Sequence, residues 1–577
     1  MKYLNKERTT RFCIVVLSVL GLIGCIAVLF PQVRLWLMDL AEHILHKKIV
    51  EYQSWFRMFL SYAIGGICLI LFFDYCTLTE SGRLLVQKVK DELKDCFLAI
   101  DFRLLLKPIL FMAGIYLLGI LTIIRANFLY IDDIERAVSG VRHWYNYSRY
   151  ISEFGSIFVH ADTNLTDISP IPQLLAVLIL SISSVLLVYV LSNKRITVVR
   201  LLATLPLGLS PYFLECLSFK FDAPYMALSI LASIIPFLFI SRKRAFLFCS
   251  VVSLLIMCMT YQAASGIYLL VTIMICFHNW NSREKTDKEI LSFLGLAAFA
   301  FCFAMIVFRF ILMRHVDVAF DPSTTMHPLT NIIPGTLNSI KGYATIINQD
   351  LGLPWKTGIL FVCIFFITKS IHVSRRKKTL SFFISFLTII LSFILSYGVY
   401  SLLIIDSFSP RLLYGFGLFL SILCISVVSD YKKIATVTVL ALNWCLFVFA
   451  FSYGNALADQ SRYAEFRIGI LFHDISALYP TQQTENLSIQ LDNSIEFAPS
   501  IKNISKHYPV IERLVHRRLG TNFIWDYMYF WKHFNFQFEL VDKTYMDFEP
   551  LSLPIVLDSY YHTIKSDGSR MLIILKH

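Results

Sequence analysis

Apolar residues fill the chain in long runs, and polar residues gather in short stretches between those runs. A helix needs about 20 consecutive apolar residues to cross the hydrocarbon core of a bilayer. The pattern therefore predicts a polytopic α-helical membrane protein with about 13 transmembrane helices. We place these helices approximately at residues 12–30, 54–73, 104–124, 173–192, 198–214, 224–241, 245–261, 263–278, 290–312, 357–371, 379–404, 410–428 and 434–453.

The pattern changes after the last of these runs, where charged residues occur throughout and apolar residues alternate over short segments. The tail carries the local signals of two helices, at residues 458–479 and 510–519, and of a strand at 487–492. It also carries those of a hairpin, in which 554–561 and 570–577 flank a turn at 566–568. The sequence therefore predicts a transmembrane domain at 1–454 and a small C-terminal α/β domain at 455–577.

Three polar segments repeat apolar residues at helical spacing, at residues 33–49, 85–100 and 337–351. The second also carries Lys88, Lys90 and Lys94, which predicts a basic helix on the inner membrane surface, where anionic lipids attract it. The third lies in an outer loop, where a helix would cover an opening through which a lipid enters.

Composition and charge support the membrane assignment and add an orientation. Hydrophobic residues make up 56% of the chain and charged residues 16%, whereas about a quarter of a soluble domain is charged. Basic residues cluster in every second loop, and short cytoplasmic loops are enriched in Lys and Arg. The N-terminus is therefore predicted in the cytoplasm. The segments predicted outside are 125–172, 215–223, 313–356, 405–409 and the tail. Because topology accounts for the net charge of +12, that charge does not indicate nucleic-acid binding.

The first long outer loop, residues 125–172, carries an acidic pair, Asp132 and Asp133, just after an apolar run. Mutual repulsion and the low dielectric of nearby lipid should raise the pKa of one carboxyl group. A general base that works near neutral pH uses such a shift. The alternative is that Asp132 caps a helix that starts at Ile134, with Glu135 as its capping-box partner.

Other polar side chains in the outer segments are candidates for binding substrate. They are Arg136, Trp144 and Arg149 in the first loop, Glu215, Lys220 and Asp222 between two spans, Tyr261 and Gln262 at a tight turn, and Arg411 at the head of a span. A guanidinium can offer two parallel hydrogen bonds to a phosphate, so Arg411 is predicted to hold one, with Lys220 as its rival. No His or Cys spacing fits a metal site, and no metal or other cofactor is predicted.

Three segments carry a resemblance to a known family. YIDDIERAVSGVRHWYNYSRY resembles the first-loop signature of the bacterial type II O-antigen glucosyltransferases, which are serotype-converting enzymes. Ser148-Arg149 stands where Gly-Arg is more usual in that signature. SPYFLECLSFKFDAPYMAL and TYQAASGIYL resemble two further family segments.

The resemblance implies a C-type glycosyltransferase fold, in which the first large outer loop holds the catalytic acid. It implies polyprenyl-phosphate glucose as the lipid donor and a surface polysaccharide as the acceptor. Asp132 and Asp133 carry over as catalytic candidates, and the resemblance does not say which of them is the base.

The sequence therefore predicts a membrane glucosyltransferase that acts on O-antigen or a related polysaccharide at the periplasmic face of the bacterial inner membrane. The alternatives are a polysaccharide flippase or polymerase and, third, a secondary transporter. Transporters keep their charges near the middle of broken helices, whereas these charges lie in outer loops. Inversion is expected at the sugar, because a single base on the acceptor side suffices for it, and retention stays open.

Overall fold

The structure is a computed structural model. It describes residues 71, 76–77, 79–313, 325–404, 408–428, 433–479, 487–519, 538–541, 543 and 546–576. The predicted spans 12–30 and 54–73, apart from residue 71, and the predicted amphipathic helix 33–49 lie outside the described residues. Every structural count below refers to the described ranges.

Helices make up most of the described chain. In chain order they are α1 (Glu80–Leu98), α2 (Phe102–Ala126), α3 (Asp133–Ser139), α4 (Tyr150–His160), α5 (Ile171–Leu191), α6 (Val198–Leu202), α7 (Pro206–Leu209), α8 (Pro211–Ser218), α9 (Ala223–Ile234), α10 (Lys243–Thr260), α11 (Ser265–Ser282), α12 (Asp287–Val307), α13 (Ile332–Asp350), α14 (Leu353–Val373), α15 (Lys378–Leu395), α16 (Gly415–Val427), α17 (Lys433–Leu478), α18 (Pro499–Ser505) and α19 (Ile511–Leu514). Short 3₁₀ turns lie at Trp144–Tyr147, Ile235–Phe239, Gln262–Ala264, Leu329–Asn331, Gly398–Leu402 and Pro410–Leu412, and a π turn lies at Phe308–Leu312.

Eight of the described helices are long and apolar enough to cross a membrane. The predicted span 198–214 is instead a pair of helical pieces, Val198–Leu209 and Pro211–Ser218, which meet at 63° and would make a ninth span if counted as one. The predicted spans 224–241 and 410–428 correspond to shorter apolar helices. The described structure thus supports a helical membrane protein but does not confirm 13 spans.

The helix α16 has 13 residues and is shorter than the apolar run from which a span was predicted. Every residue of α16 is buried, and a helix that is apolar all round is typical of a protein interior as well as of a membrane. A Cβ on Gly415 would lie 2.0 Å from the carbonyl oxygen of Ser396. Glycine at this position therefore allows α16 to pack closely against its neighbours.

The predicted amphipathic helices at 85–100 and 337–351 correspond to α1 and α13. On α13 the buried face differs from the predicted apolar stripe, because Leu337 is 62% exposed while Tyr343 and Asp350 are buried. Polar partners explain the difference: the hydroxyl groups of Tyr343 and Ser396 lie 2.8 Å apart, and the Tyr212 hydroxyl donates to Asp350 over 3.0 Å.

The C-terminal part forms a small sheet against the end of α17. Its strands are β1 (Ser488–Asp492), β2 (Glu539–Leu540), β3 (Ile555–Asp558), β4 (His562–Ser566) and β5 (Arg570–Leu575), in the order β2-β1-β5-β4-β3. β1 pairs in parallel with β2 and β5, and β4 pairs antiparallel with β3 and β5. The strand predicted at 487–492 and the turn at Asp567-Gly568 are present. The turn joins β4 to β5. The apolar segment 554–561, which precedes the turn in sequence, forms β3, on the far side of β4 from β5.

One continuous helix connects the membrane part to the tail. α17 has 46 residues and runs through position 454, where the two predicted domains were divided. Its last turns pack on the sheet, in a core that includes Ile468, Leu471 and Ile475. In contrast, tail residues 497–515 contribute to the apolar core of the membrane part, which brings a piece of the tail to the candidate site.

Candidate active site

The acidic pair follows the end of α2 at a turn in the backbone. α2 ends at Ala126, and Asn127 then adopts the left-handed conformation with φ 49°. Ile131, immediately before the pair, has φ 24°. Positive φ is unusual for a β-branched residue, so contacts in the surrounding structure must stabilise this turn. Backbone strain of this kind tends to occur at functional sites.

Asp133 provides several of those contacts. Its side chain is fully buried, and its carboxylate accepts hydrogen bonds from the backbone N–H groups of Tyr130 at 3.1 Å, Lys220 at 3.0 Å and Phe221 at 3.4 Å. Burial raises its pKa to about 7. The predicted pKa rise therefore occurs at Asp133, but its main cause is burial rather than repulsion within the pair. Asp133 joins the first outer loop to the segment after α8.

Asp132 has a different environment. It is half-buried at the N-terminus of α3, and its side chain makes no capping hydrogen bond. Glu135 instead faces His143, with 3.6 Å between Oε2 and Nδ1. The capping box considered from the sequence is therefore not formed. The Asp132 carboxylate makes no hydrogen bond or ion pair in the described part of the chain.

Arg136, Trp144 and Asp222 bind one another. The Arg136 guanidinium and the Trp144 indole N–H both donate to the Asp222 carboxylate. Arg136 also stacks on Trp144, with its Cζ 4.4 Å from the ring centroid. All three side chains are buried. The structure thus brings these predicted site residues together, but their polar groups are occupied by each other.

Lys220 is similarly occupied. Its Nζ donates to Asn127 Oδ1 at 2.6 Å and to Asp167 Oδ2 at 2.9 Å, and the side chain is buried. The Lys220 ammonium therefore links the end of α2 to the end of the first outer loop. Two of the three donors of this ammonium are thus used by Asn127 and Asp167, which leaves Lys220 fewer donors for a phosphate than Arg411 has.

Arg411 is half-buried in the turn before α16. Its Cζ lies 4.9 Å from the Phe219 ring centroid, and its guanidinium makes no hydrogen bond or ion pair within the described ranges. It interacts electrostatically with Asp132, Glu215 and Tyr261. Arg411 and Asp132, which are far apart in sequence, are thus neighbouring charged groups without a direct partner.

Several buried polar atoms around Arg411 also lack a hydrogen-bond partner. They include Glu215 Oε2, Tyr261 Oη and Arg149 Nε. Arg149 stacks on Tyr261, with its Cζ 4.6 Å from the ring centroid. Buried polar groups are normally paired, so these atoms indicate a place for a polar ligand. Gln262 lies beside this group and donates to the Tyr147 carbonyl at 3.3 Å.

The sequence did not indicate that the tail reaches this site. The predicted helix 510–519 is a single turn, α19, after which the chain lies along the acidic loop. Arg518 donates to the carbonyl of Leu129 at 2.6 Å, and His516 packs edge-on against Tyr130 with 4.7 Å between ring centroids. A signal was available in the sequence, because His516-Arg517-Arg518 is a basic run in a segment predicted outside the cytoplasm.

Within the described chain, no group of three His, Cys, Asp or Glu side chains is placed to share a metal ion. The unpaired groups are instead carboxylates, guanidinium groups, a phenol and an imidazole. Such groups suit the binding of hydroxyl and phosphate groups.

The fold and the site together define a class of protein. Eight apolar helices indicate a membrane protein, and a site of carboxylate and guanidinium groups lies where loops, helix ends and the tail meet. This is the arrangement expected of a membrane-embedded transferase that acts on polar groups.

Comparison with known proteins identifies the family. Residues 121–422, more than half of the chain, match the family described as glucosyl transferase GtrII, and the chain belongs to this family. A Salmonella phage P22 protein, described as an uncharacterized 55.3 kDa protein in the gtrB 5′ region, is 24% identical over 455 residues, which cover 76% of this chain and 92% of the relative. No solved structure matches. The family predicted from the three segments is confirmed, and it supports a glucosyltransferase role in O-antigen modification.

Proposed function

We propose that the protein transfers glucose from a polyprenyl-phosphate donor to O-antigen or a related surface polysaccharide, at the periplasmic face of the bacterial inner membrane. Family membership supports glucosyl transfer. The apolar helices support a membrane location, and the alternation of basic loops supports a periplasmic site and tail. In this proposal residues 1–454 form the transferase domain, 125–172 its catalytic loop and 455–577 a periplasmic domain.

The observation that carries the mechanism is that the Asp132 carboxylate and the Arg411 guanidinium lie in electrostatic range of each other and make no hydrogen bond or ion pair within the described residues. The acceptor hydroxyl oxygen attacks the anomeric carbon of glucose, and Asp132 takes the hydroxyl proton. The bond from that carbon to the phosphate oxygen breaks, and its electron pair leaves with the polyprenyl phosphate. Arg411 stabilises the added negative charge on the phosphate. A single displacement of this kind inverts the anomeric carbon.

The other site residues divide into two groups by their contacts. In this proposal the first group holds the loop in shape around Asp132, because its side chains are already paired with protein groups. Its members are Asp133, Arg136, Trp144, Lys220 and Asp222. In this proposal a second group of side chains contacts the substrate: Arg149, Glu215, Tyr261 and Gln262.

The test is a transfer assay with purified protein in lipid nanodiscs, polyprenyl-phosphate glucose and O-antigen acceptor. Asp132→Asn should lower kcat by about 10²- to 10⁴-fold, the usual contribution of a general base. Asp162→Asn is the matched control, because Asp162 is an exposed carboxylate of the same loop whose main contacts an amide can keep. Wild-type turnover by Asp132→Asn would refute the assigned base. Movement of the lipid across the bilayer without sugar transfer would favour the flippase alternative.

A further inference from the structure

The tail segment 510–518 is fixed firmly beside the active site. Val510, Ile511 and Leu514 are buried in the core of the membrane part. At one end of the segment, Arg513 donates to Asp350 of α13. At the other end, Arg518 stacks on an aromatic ring of the acidic loop, with its Cζ 4.2 Å from the centroid of Phe128. The segment is thus built into the wall of the site rather than resting on its surface.

His516 lies in the segment between these two attachments. Its ring packs on Tyr130, whose hydroxyl donates to the Leu514 carbonyl at 2.6 Å. Its Nε2 is buried and makes no hydrogen bond within the described residues. The ring interacts electrostatically with both Asp132 and Arg411.

His516 is uncharged at physiological pH. Burial is the largest cause, and the neighbouring guanidinium groups of Arg518 and Arg411 add to it, so that its pKa is lowered to about 3 despite the opposing charge of Asp132. A neutral imidazole offers one donor and one acceptor nitrogen. It is therefore suited to bind a hydroxyl group of the substrate, whereas the phosphate is assigned to Arg411.

We propose that His516 contacts the transferred sugar of the lipid donor and that its Nε2 hydrogen-bonds one of the sugar hydroxyl groups. This inference rests on the proposed function. In a single displacement the sugar carbon lies between the attacking hydroxyl, which is at Asp132, and the leaving phosphate, which is at Arg411. A side chain close to both of these residues lies beside the sugar ring. The tail then contributes directly to recognition of the donor.

The experiment measures binding, so that it does not depend on turnover. Dissociation constants for polyprenyl-phosphate glucose and for bare polyprenyl phosphate are determined by titration of the full-length protein in nanodiscs. The wild type should prefer the glucose-bearing lipid. His516→Phe keeps a ring to pack on Tyr130 and lacks the nitrogen. In this variant the ratio of the dissociation constant for bare lipid to that for the glucose-bearing lipid should fall about tenfold. The affinity for bare lipid should not change. His516→Gln, which keeps a polar group, should recover part of the loss.

His473→Phe is the matched control, because His473 is exposed on α17, away from the site, and it should bind both lipids as the wild type does. A wild-type preference in His516→Phe would overturn the proposal, as would an equal loss of affinity for both lipids, which is the result of a merely structural role. The two experiments fail separately. Absence of sugar transfer by the wild type in the nanodisc transfer assay would refute the proposed function. The role of His516 is decided by the preference for the glucose-bearing lipid over the bare lipid.

Discussion

Asp132 and Asp133 are adjacent in sequence but have opposite surroundings. The Asp133 carboxylate is closed off by three backbone N–H groups, whereas the Asp132 carboxylate remains open to a substrate. In the proposed mechanism the first is therefore a positioning residue and the second is the base.

The buried Asp133 predicts a specific pH dependence of stability. An unfolded Asp has a pKa of about 3.9, and the folded pKa is raised to about 7, so between these values the folded state binds the proton more tightly. Linkage requires that the stabilisation is fully present below about pH 4 and is lost as the pH rises toward about 7. Asp133→Asn should remove this decline, as measured by thermal unfolding in detergent across that range. An unchanged pH profile in the variant would show that Asp133 does not titrate in this way.

If Arg411 holds the donor phosphate, arginine and lysine at this position should differ in their use of the lipid donor. Arg411→Lys keeps the positive charge but loses the two parallel donors of the guanidinium, so kcat/KM for the lipid donor should fall about tenfold or more. Arg411→Ala should lose more. Arg462→Lys serves as the control, because Arg462 is a largely exposed side chain on α17. If both Arg411 variants show the wild-type kcat/KM for the donor, the phosphate is held by another cation. Arg149 is then the next candidate, because it is also a guanidinium of this site.

At the scale of elements, the attachment of the tail to α13 depends on the contact between Arg513 and Asp350. Asp350 is almost completely buried, and Arg513 also donates to the carbonyl of Phe408. The contact therefore joins three segments that are distant in sequence.

Removing Arg513 should destabilise the protein because, among the described residues, it leaves the buried Asp350 carboxylate with only the Tyr212 hydroxyl as a partner. Breaking a buried ion pair costs about 3–5 kcal/mol, and partial exposure of Arg513 puts its loss at or below the lower end of that range. The control is Arg517→Ala, since Arg517 pairs with Glu496 at 3.2 Å near the surface, where such a pair contributes about 0–1 kcal/mol. Thermal unfolding of both variants makes the comparison, and equal losses would contradict this role of Arg513.

At the scale of the whole molecule, α17 determines how the tail is connected. A helix of 46 residues is about 70 Å long at 1.5 Å per residue, which exceeds the thickness of a bilayer. It can therefore leave the membrane and still provide the surface on which the sheet packs.

The proposed topology predicts opposite labelling of two single cysteines in a background without native Cys. Tyr560→Cys places a thiol at a position that is 83% exposed on the sheet domain, and Lys285→Cys places one in an exposed loop between α11 and α12. An impermeant thiol reagent added to intact spheroplasts should label the first and not the second. Labelling of Lys285→Cys alone would reverse the topology and move the acidic pair to the cytoplasmic side.

Local patterns in the sequence were sufficient for the helical membrane architecture, for strand β1 and for the turn at Asp567-Gly568. These features depend on the polarity of neighbouring residues and on the turn preference of Asp and Gly. The three family-like segments together were also sufficient for the family. Run length did not predict that the apolar run 410–428 consists of a short turn and the 13-residue helix α16, because a short buried helix and a membrane span are both apolar.

Only the tertiary structure decided which acidic residue lacks a hydrogen-bond partner among the described residues, and that the tail lies against the acidic loop. Two of the three partners of Asp133 lie 87 and 88 residues further along the chain, and Arg518 contacts Leu129 across 389 residues. No periodicity or spacing encodes such pairs, since they arise when the bent helices, α13 and the tail segment pack together. The sequence thus determined which side chains were available, and packing determined which of them were left unpaired for a substrate.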